Sequence, residues 1–432
     1  MRAVAAAIAL FVLVLGQGPP PTSPAIYSSR ADDPWNRVFA LLFARTISTS
    51  KTDEFADAKP FVPMPDYVPP YLQLRASTRT FDRYEEGDRA IEALYPSFIT
   101  PRGVDHVLSG PPFQALGAAL KEALDERTPR SPLDRALMQA DLWSAFDALV
   151  PVTQGSPRPR MGRAQAEALL PLLGRLIRKL ALTPAEIAAL PDHYAAARAS
   201  FGLPDLFSPR SEWMELVMGQ DRMHDEAADY RRASRVFVKP LTPSADEGRF
   251  LASLPNAANP PVAAAALVME TLLVDSRGRV VPSRLISDIQ MRSIARDGRR
   301  GSSISGAAAV DQYELSRRRL RSGAAGGFVH FDSTAPAYLA VAGNDYGFAT
   351  PLRDHRGETA PLLTTLHKRC GMCHGLDGAN FMMLNLKSGP DHRLPPVVRL
   401  RQPNDDRALR AAAAKEARPD FKRLIEAAGL RR

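Results

Sequence analysis

At 432 residues with 45% apolar side chains, the chain can bury a substantial core and has room for two or three domains, which excludes a small peptide carrier wrapped round one cofactor. Its net charge of +9 would suit nucleic-acid binding, but the N-terminus argues against that partner, because it reads as an export signal and an exported chain rarely meets nucleic acid. Met1-Arg2, the apolar run Ala3 to Leu15 and the Gly/Pro/Ser stretch Gly16 to Pro24 follow the order of a secretory signal peptide.

The apolar run is shorter than the roughly 20 residues a spanning helix needs, and no later run approaches that length. Residues 1–25 are therefore read as a signal peptide, cut near Gly18 or after Ala25. The expectation is a bacterial-type exported protein, periplasmic or extracellular, with no transmembrane segment once the signal is removed and no nucleic acid as partner. Basic residues cluster in Arg292 to Arg300, in Arg317 to Arg321 and along the tail to Arg432. Such runs are usually solvated faces; their functional alternative is docking to an acidic redox partner protein or an anionic membrane surface.

Residues 26–236 read as a large helical N-terminal domain. Leu133, Leu137, Leu142, Phe146 and Leu149, and then Leu169, Leu173, Leu176, Ile177 and Leu180, recur at helical spacing. Thr183-Pro184-Ala185-Glu186 carries a capping residue, an early Pro and an early carboxylate. Met218 to Glu226 gathers acids, His224 and two Met on an expected helix; an exposed acidic turn with its Met in the core is a simpler reading than an acid/base or metal site. Residues 237–357 read as a mixed or β-rich middle segment. Ala266 to Asp275 and Arg279 to Val281 flank Ser276-Arg277-Gly278 as a hairpin, and Phe328 to Phe331 and Tyr338 to Val341 are further strand candidates.

In the last segment, 358–432, Leu362, Leu363 and Leu366 suggest a helix leading into Cys370-Gly371-Met372-Cys373-His374, and a second helix is expected from Asp405 to Ala428, interrupted at Pro419. The two cysteines are the only ones in the chain, at the spacing of c-type haem attachment. Two thiols three apart on a helical turn can each add to a haem vinyl group, and the next residue, His374, can supply an axial nitrogen to iron. A thioredoxin-type dithiol, a structural zinc site using His367 and His374, and a plain disulfide are the chemical alternatives.

Cys370 to Gly378 reads C-G-M-C-H-G-L-D-G, and this stretch resembles the c-type cytochrome family. The resemblance covers about 70 residues, from Thr359 to the end. It implies one covalent haem c on Cys370 and Cys373, iron held by His374 on the proximal side, and a small all-α haem domain. In that family a Pro shortly follows the motif and a distal Met lies downstream; here the first following Pro is Pro390 and the last Met is Met383. Met382 or Met383 would be the distal ligand, since eight extended residues reach about 26 Å, and His392 is the second choice. His330, His355 and His367 are further candidates near the motif; alone, each reads more simply as a satisfied histidine, as do His106, His193 and His224.

The expected fold is mainly α and multidomain: a helical N-terminal domain, the β-rich middle segment, and a small all-α cytochrome c-like C-terminal domain. The expected function is electron transfer through one haem. A haem enzyme with an open distal site, peroxidase-like or another oxidoreductase, and an extracellular binding protein with an accessory haem domain are the alternatives.

Overall fold

The computed structural model describes residues 26–30, 32–48, 82–86, 89–93, 107–108, 110–153, 162–208, 210–218, 232–241, 250, 262–294, 308–331, 336–339, 362–365, 397–399 and 406–430. A layer of helices comes first: α1 (Pro34–Phe43), α2 (Gly110–Asp125), α3 (Pro132–Thr153) and α4 (Arg163–Leu180). Each is dictated locally. Ser131 Oγ accepts the Asp134 amide at 3.1 Å and Pro132 opens α3, a cap and a preset φ together. In α4 the stripe Leu169, Leu173, Leu176, Ile177 and Leu180 is buried, as its spacing predicts. The short α5 (Pro184–Ala188) starts with the expected reciprocal cap: Glu186 N donates to Thr183 Oγ1, and Thr183 N donates to the Glu186 carboxylate. Helix α6 (His193–Phe201) follows, capped by Asp192.

Between α1 and α2 lies a three-stranded antiparallel sheet of β1 (Ala44–Ser48), β2 (Asp82–Glu86) and β3 (Arg89–Ala93), with β3 central. The main sheet has seven strands, ordered β12-β4-β5-β6-β7-β8-β9, every neighbouring pair antiparallel. They are β4 (Met214–Met218), β5 (Arg232–Pro240), β6 (Val262–Val274), β7 (Val280–Ile294), β8 (Ala308–Leu315), β9 (Phe328–Phe331) and, last in sequence, β12 (Val397–Arg399). The expected hairpin joins β6 to β7. Asp275 Oδ1 accepts the amides of Arg277 and Arg279 at 2.9 and 2.8 Å, and Gly278 takes φ 74°, a value that suits glycine. Helix α7 (Arg317–Ser322) links β8 to β9, and β10 (Pro336–Leu339) pairs with β11 (Leu362–Thr365) in a separate two-stranded sheet.

Residues directly opposite in an antiparallel pair project to one face. The pairs Phe237↔Ala266, Val268↔Ile289 and Ile289↔Tyr313 mark the face that joins the helices in one continuous core. Gln139 of α3 ties the layers: its Nε2 donates to Val274 O, and its Oε1 accepts the Val274 amide, each at 2.8 Å.

The chain ends in α8 (Asp406–Ala417) and α9 (Pro419–Ala427), split at Arg418, whose extended backbone precedes Pro419. Neither helix belongs to a separate small domain. Phe421 and Leu424 are fully buried in the same core as α3 and α4, with the Phe421 ring 5.9 Å from Trp143. Lys415, also fully buried, donates to Asp147 of α3 at 2.7 Å and to Asp420 at 2.5 Å. Glu416 accepts the Val280 amide of β7 at 2.8 Å.

The expectation of a mainly α, multidomain chain with a small all-α C-terminal domain is thus corrected to a mixed α/β fold built on a large antiparallel sheet. The physical reason is long-range packing: the last helices fill the core of the first ones. Two local readings fail with it. Residues 26–236 hold strands β1 to β4 and the start of β5, and Leu362–Thr365 is a strand rather than a helix.

Candidate functional site

Cys370, Cys373 and His374, and the distal candidates Met382, Met383 and His392, lie outside the described residues. What frames them is described. Strand β11 ends five residues before Cys370, with Leu362↔Leu339 and Thr365↔Pro336 as its outer pairs. On the other side β12 pairs with β4, Val397 opposite Met218 and Arg399 opposite Leu216, and forms an edge of the main sheet. The motif is therefore strung between two strands. Of the acidic stretch Met218 to Glu226, Met218 closes strand β4 rather than sitting on a helix, and the rest lies outside the described residues.

Two histidines fall within the described residues, and both are satisfied by protein groups. His193 is buried, its Nδ1 donating to Gly326 O at 2.9 Å while its Nε2 accepts the Ile286 amide at 2.8 Å, a tautomer assigned from these partners. Burial lowers its pKa to about 4, against which the Gly326 hydrogen bond works. His330 sets Nε2 2.7 Å from Asp311 Oδ1 and stacks on Tyr313, ring centroids 4.6 Å apart. His106, His224, His355 and His367 lie outside the described residues.

The main sheet buries ionic and polar groups on both faces. On the core face, Arg235 of β5 makes a forked pair with Glu215 of β4 at 2.9 and 2.8 Å, and its Nη1 lies 3.6 Å from Glu270 of β6. The guanidinium sits 4.8 Å from the Phe207 ring centroid, a cation–π contact in a dry setting. On the opposite face the pairs Met269↔Asp288, Asp288↔Glu314 and Gln290↔Gln312 bring together a polar cluster. Gln312 Nε2 donates to Asp288 at 2.7 Å and to Glu314 at 2.8 Å, and Gln290 Nε2 donates to Asp288 at 3.2 Å. Asp288 is 2% exposed, Gln312 3% and Arg292, on the same side of β7, 7%. Both amides donate to the buried Asp288 carboxylate, which replaces part of the hydration it loses on burial.

Sequence reasoning missed both clusters. The second leaves a trace, the polar alternation Asp288-x-Gln290-x-Arg292 and Gln312-x-Glu314 inside strands whose intervening residues are apolar or aromatic. That is a polar face where a one-sided sheet would show solvent, yet here it is buried. Among the described residues there is no group of three or more His, Cys, Asp or Glu able to hold a metal ion, and no helix long and apolar enough to cross a membrane. Compared with protein-family models, curated proteins and solved structures, the chain matches none.

Proposed function

We propose that the chain is an exported electron-transfer protein carrying one covalent haem c on Cys370 and Cys373, with His374 as proximal iron ligand. The observation that carries this reading is the sole cysteine pair at the attachment spacing with His directly after it. The donor set fits the group: two thiols for the vinyl carbons, an imidazole for iron. When bound, haem supplies a one-electron couple at iron. Met382 or Met383, with His392 as second choice, would complete a low-spin centre. The reading takes the motif without the family's all-α fold, because the flanking strands belong to an α/β scaffold.

Export accounts for the compartment in which such haem is attached, and the fold constrains the processing. Ile26 is fully buried and Tyr27 is 3% exposed, its amide donating to Asn36 Oδ1 and its hydroxyl hydrogen-bonded to Asp141. A leader removed beyond Ile26 would strip these contacts, so the mature chain starts at or before that residue. The chain's positive charge favours an acidic redox partner protein.

The test is expression of the full chain, leader included, in a bacterium with c-haem maturation, followed by intact mass of the exported protein. One added haem, surviving denaturing electrophoresis, is expected, with an N-terminus at or before Ile26. The double change Cys370→Ala, Cys373→Ala should abolish the haem signal. A wild-type band without haem overturns the reading. A high-spin ferric spectrum in place of the expected low-spin one would move the function from carrier to enzyme.

A further inference from the structure

We propose that the end of the molecule where α2, α4, α9 and the β6–β7 turn meet is a docking surface for an acidic partner protein, held by Arg127, Arg175 and Arg277. That the partner is a redox protein rests on the haem reading above; the surface itself does not.

Three contacts bring these cations together from distant parts of the sequence. Lys179 of α4 donates to Ala123 O at 3.0 Å and to Leu124 O at 2.7 Å, which sets the end of α2, with Arg127 just beyond it, beside α4. Ser276 N donates to Leu182 O at 2.8 Å, which places the β6–β7 turn and Arg277 at the C-terminal end of α4. Arg178 donates to Ala428 O and Gly429 O at 3.2 and 3.0 Å, so the end of α9 completes the group. Arg175 lies one turn before Lys179 on the same exposed side of α4.

Charge is the second argument. All five basic side chains are exposed, and among the described residues none forms a salt bridge. Arg178 and Lys179 are bound to carbonyls, while the side chains of Arg127, Arg175 and Arg277 are free. Two unpaired exposed carboxylates, Asp125 and Glu426, stand beside the five cations. Asp275 is buried, with its Oδ1 taken up by the amides of Arg277 and Arg279. By contrast Arg37, Arg130, Arg135 and Arg163 of the same helical layer face Glu122, Asp33, Glu186 and Glu167. In the basic run Arg317 to Arg321, Arg317 is spent on Asp141, Arg319 on Phe328 O, and Arg321 on Asp134 and Ile26 O. Like charges gathered without counter-charges repel one another, and a partner's carboxylates would relieve that repulsion.

Guanidinium forks pair with carboxylates in two parallel hydrogen bonds. An anionic bilayer fits this surface less well. The large apolar side chains exposed among the described residues, Leu241 and Leu409, lie outside α2, α4, α9 and the turn, so the surface offers nothing to insert. Asp125 and Glu426 would also repel lipid phosphates.

The test is titration of the full chain, haem-loaded and haem-free, against a labelled poly-glutamate peptide standing in for an acidic protein surface, read by fluorescence anisotropy at low salt. Binding that weakens with salt is expected. Changing Arg127→Gln, Arg175→Gln and Arg277→Gln together should weaken it about tenfold, as the loss of three exposed ion pairs would. The control Arg163→Gln, Arg210→Gln, Arg410→Gln removes the same charge from exposed positions elsewhere and should weaken it less than about twofold. Should the triple variant fail to fold, Arg175→Gln and Arg277→Gln carry the test singly, each at about twofold. No binding by the unmutated chain, or equal loss in the two triple variants, overturns the proposal. Tighter binding to phosphatidylglycerol vesicles, lost with the same three changes, also overturns it in favour of a membrane. Peptide binding intact in a protein that never takes up haem sinks the haem reading alone; haem present with binding indifferent to the three changes sinks the docking surface alone.

Discussion

Burying an imidazole in a low-dielectric core favours its neutral form, and at His193 both ring nitrogens are committed to that form. Nδ1 gives its proton to Gly326 O, and Nε2 is needed as an acceptor by the Ile286 amide. The folded-state pKa of about 4 lies below the ordinary 6.5. As pH falls, the unfolded chain therefore binds this proton first. The contribution is complete above about pH 6.5 and drains away down to about pH 4, roughly 3 kcal/mol in all. Urea midpoints measured across this range should fall by that order, and His193→Leu should flatten the fall. The variant should also start lower, because the Ile286 amide and the Gly326 carbonyl lose their partner at about 1–3 kcal/mol each. At this scale the cysteine motif is legible in the sequence because its chemistry sits in five adjacent residues. The Asp288–Gln312 cluster is not, since its members meet only through the register of β7 and β8.

Between elements, one of the closest approaches is at Gly174 of α4. A Cβ there would stand 2.7 Å from the Ala427 carbonyl carbon and 2.8 Å from the Ala428 amide, so backbone meets backbone. Alanine has the higher helix propensity by about 1 kcal/mol, but the clash cannot be relieved by turning a side chain. Gly174→Ala is expected to cost about 1–3 kcal/mol net, read as a lower urea midpoint; an unchanged or raised midpoint would show that α9 can shift freely. Elements with a local signature were readable in advance: the stripe of α4, the reciprocal cap of α5, the Gly278 hairpin, the break at Pro419. Strand β5 was not, because its buried Arg235 reads as polar until Glu215 and Glu270 are brought beside it. Strand β11 fails for another reason: a run as short as Leu362-Leu363 has no period to distinguish strand from helix.

Across the whole molecule, the first and last helices share one core, and this sets what can fold alone. A fragment of residues 358–432 should lack stable helix by circular dichroism, since α8 and α9 bury Ala411, Phe421 and Leu424 against partners the fragment does not contain. The chain ending at residue 405 should lose cooperative unfolding, because it leaves the α4 stripe and Asp147 uncovered. A fragment that folds and a truncated chain that unfolds cooperatively would together contradict a shared core. Contacts such as Arg178 Nη1 to Ala428 O, 250 residues apart, also bear on when the protein folds. Loops of that length close slowly: α2 and α3 can cover one side of α4 as soon as it is made, but the side at Gly174 has no partner until about the final thirty residues emerge. A precursor bound for another compartment has to be threaded through a membrane before it folds. In this chain the order of the elements alone postpones completion of the shared core until synthesis is all but finished, a delay that would serve the export proposed above.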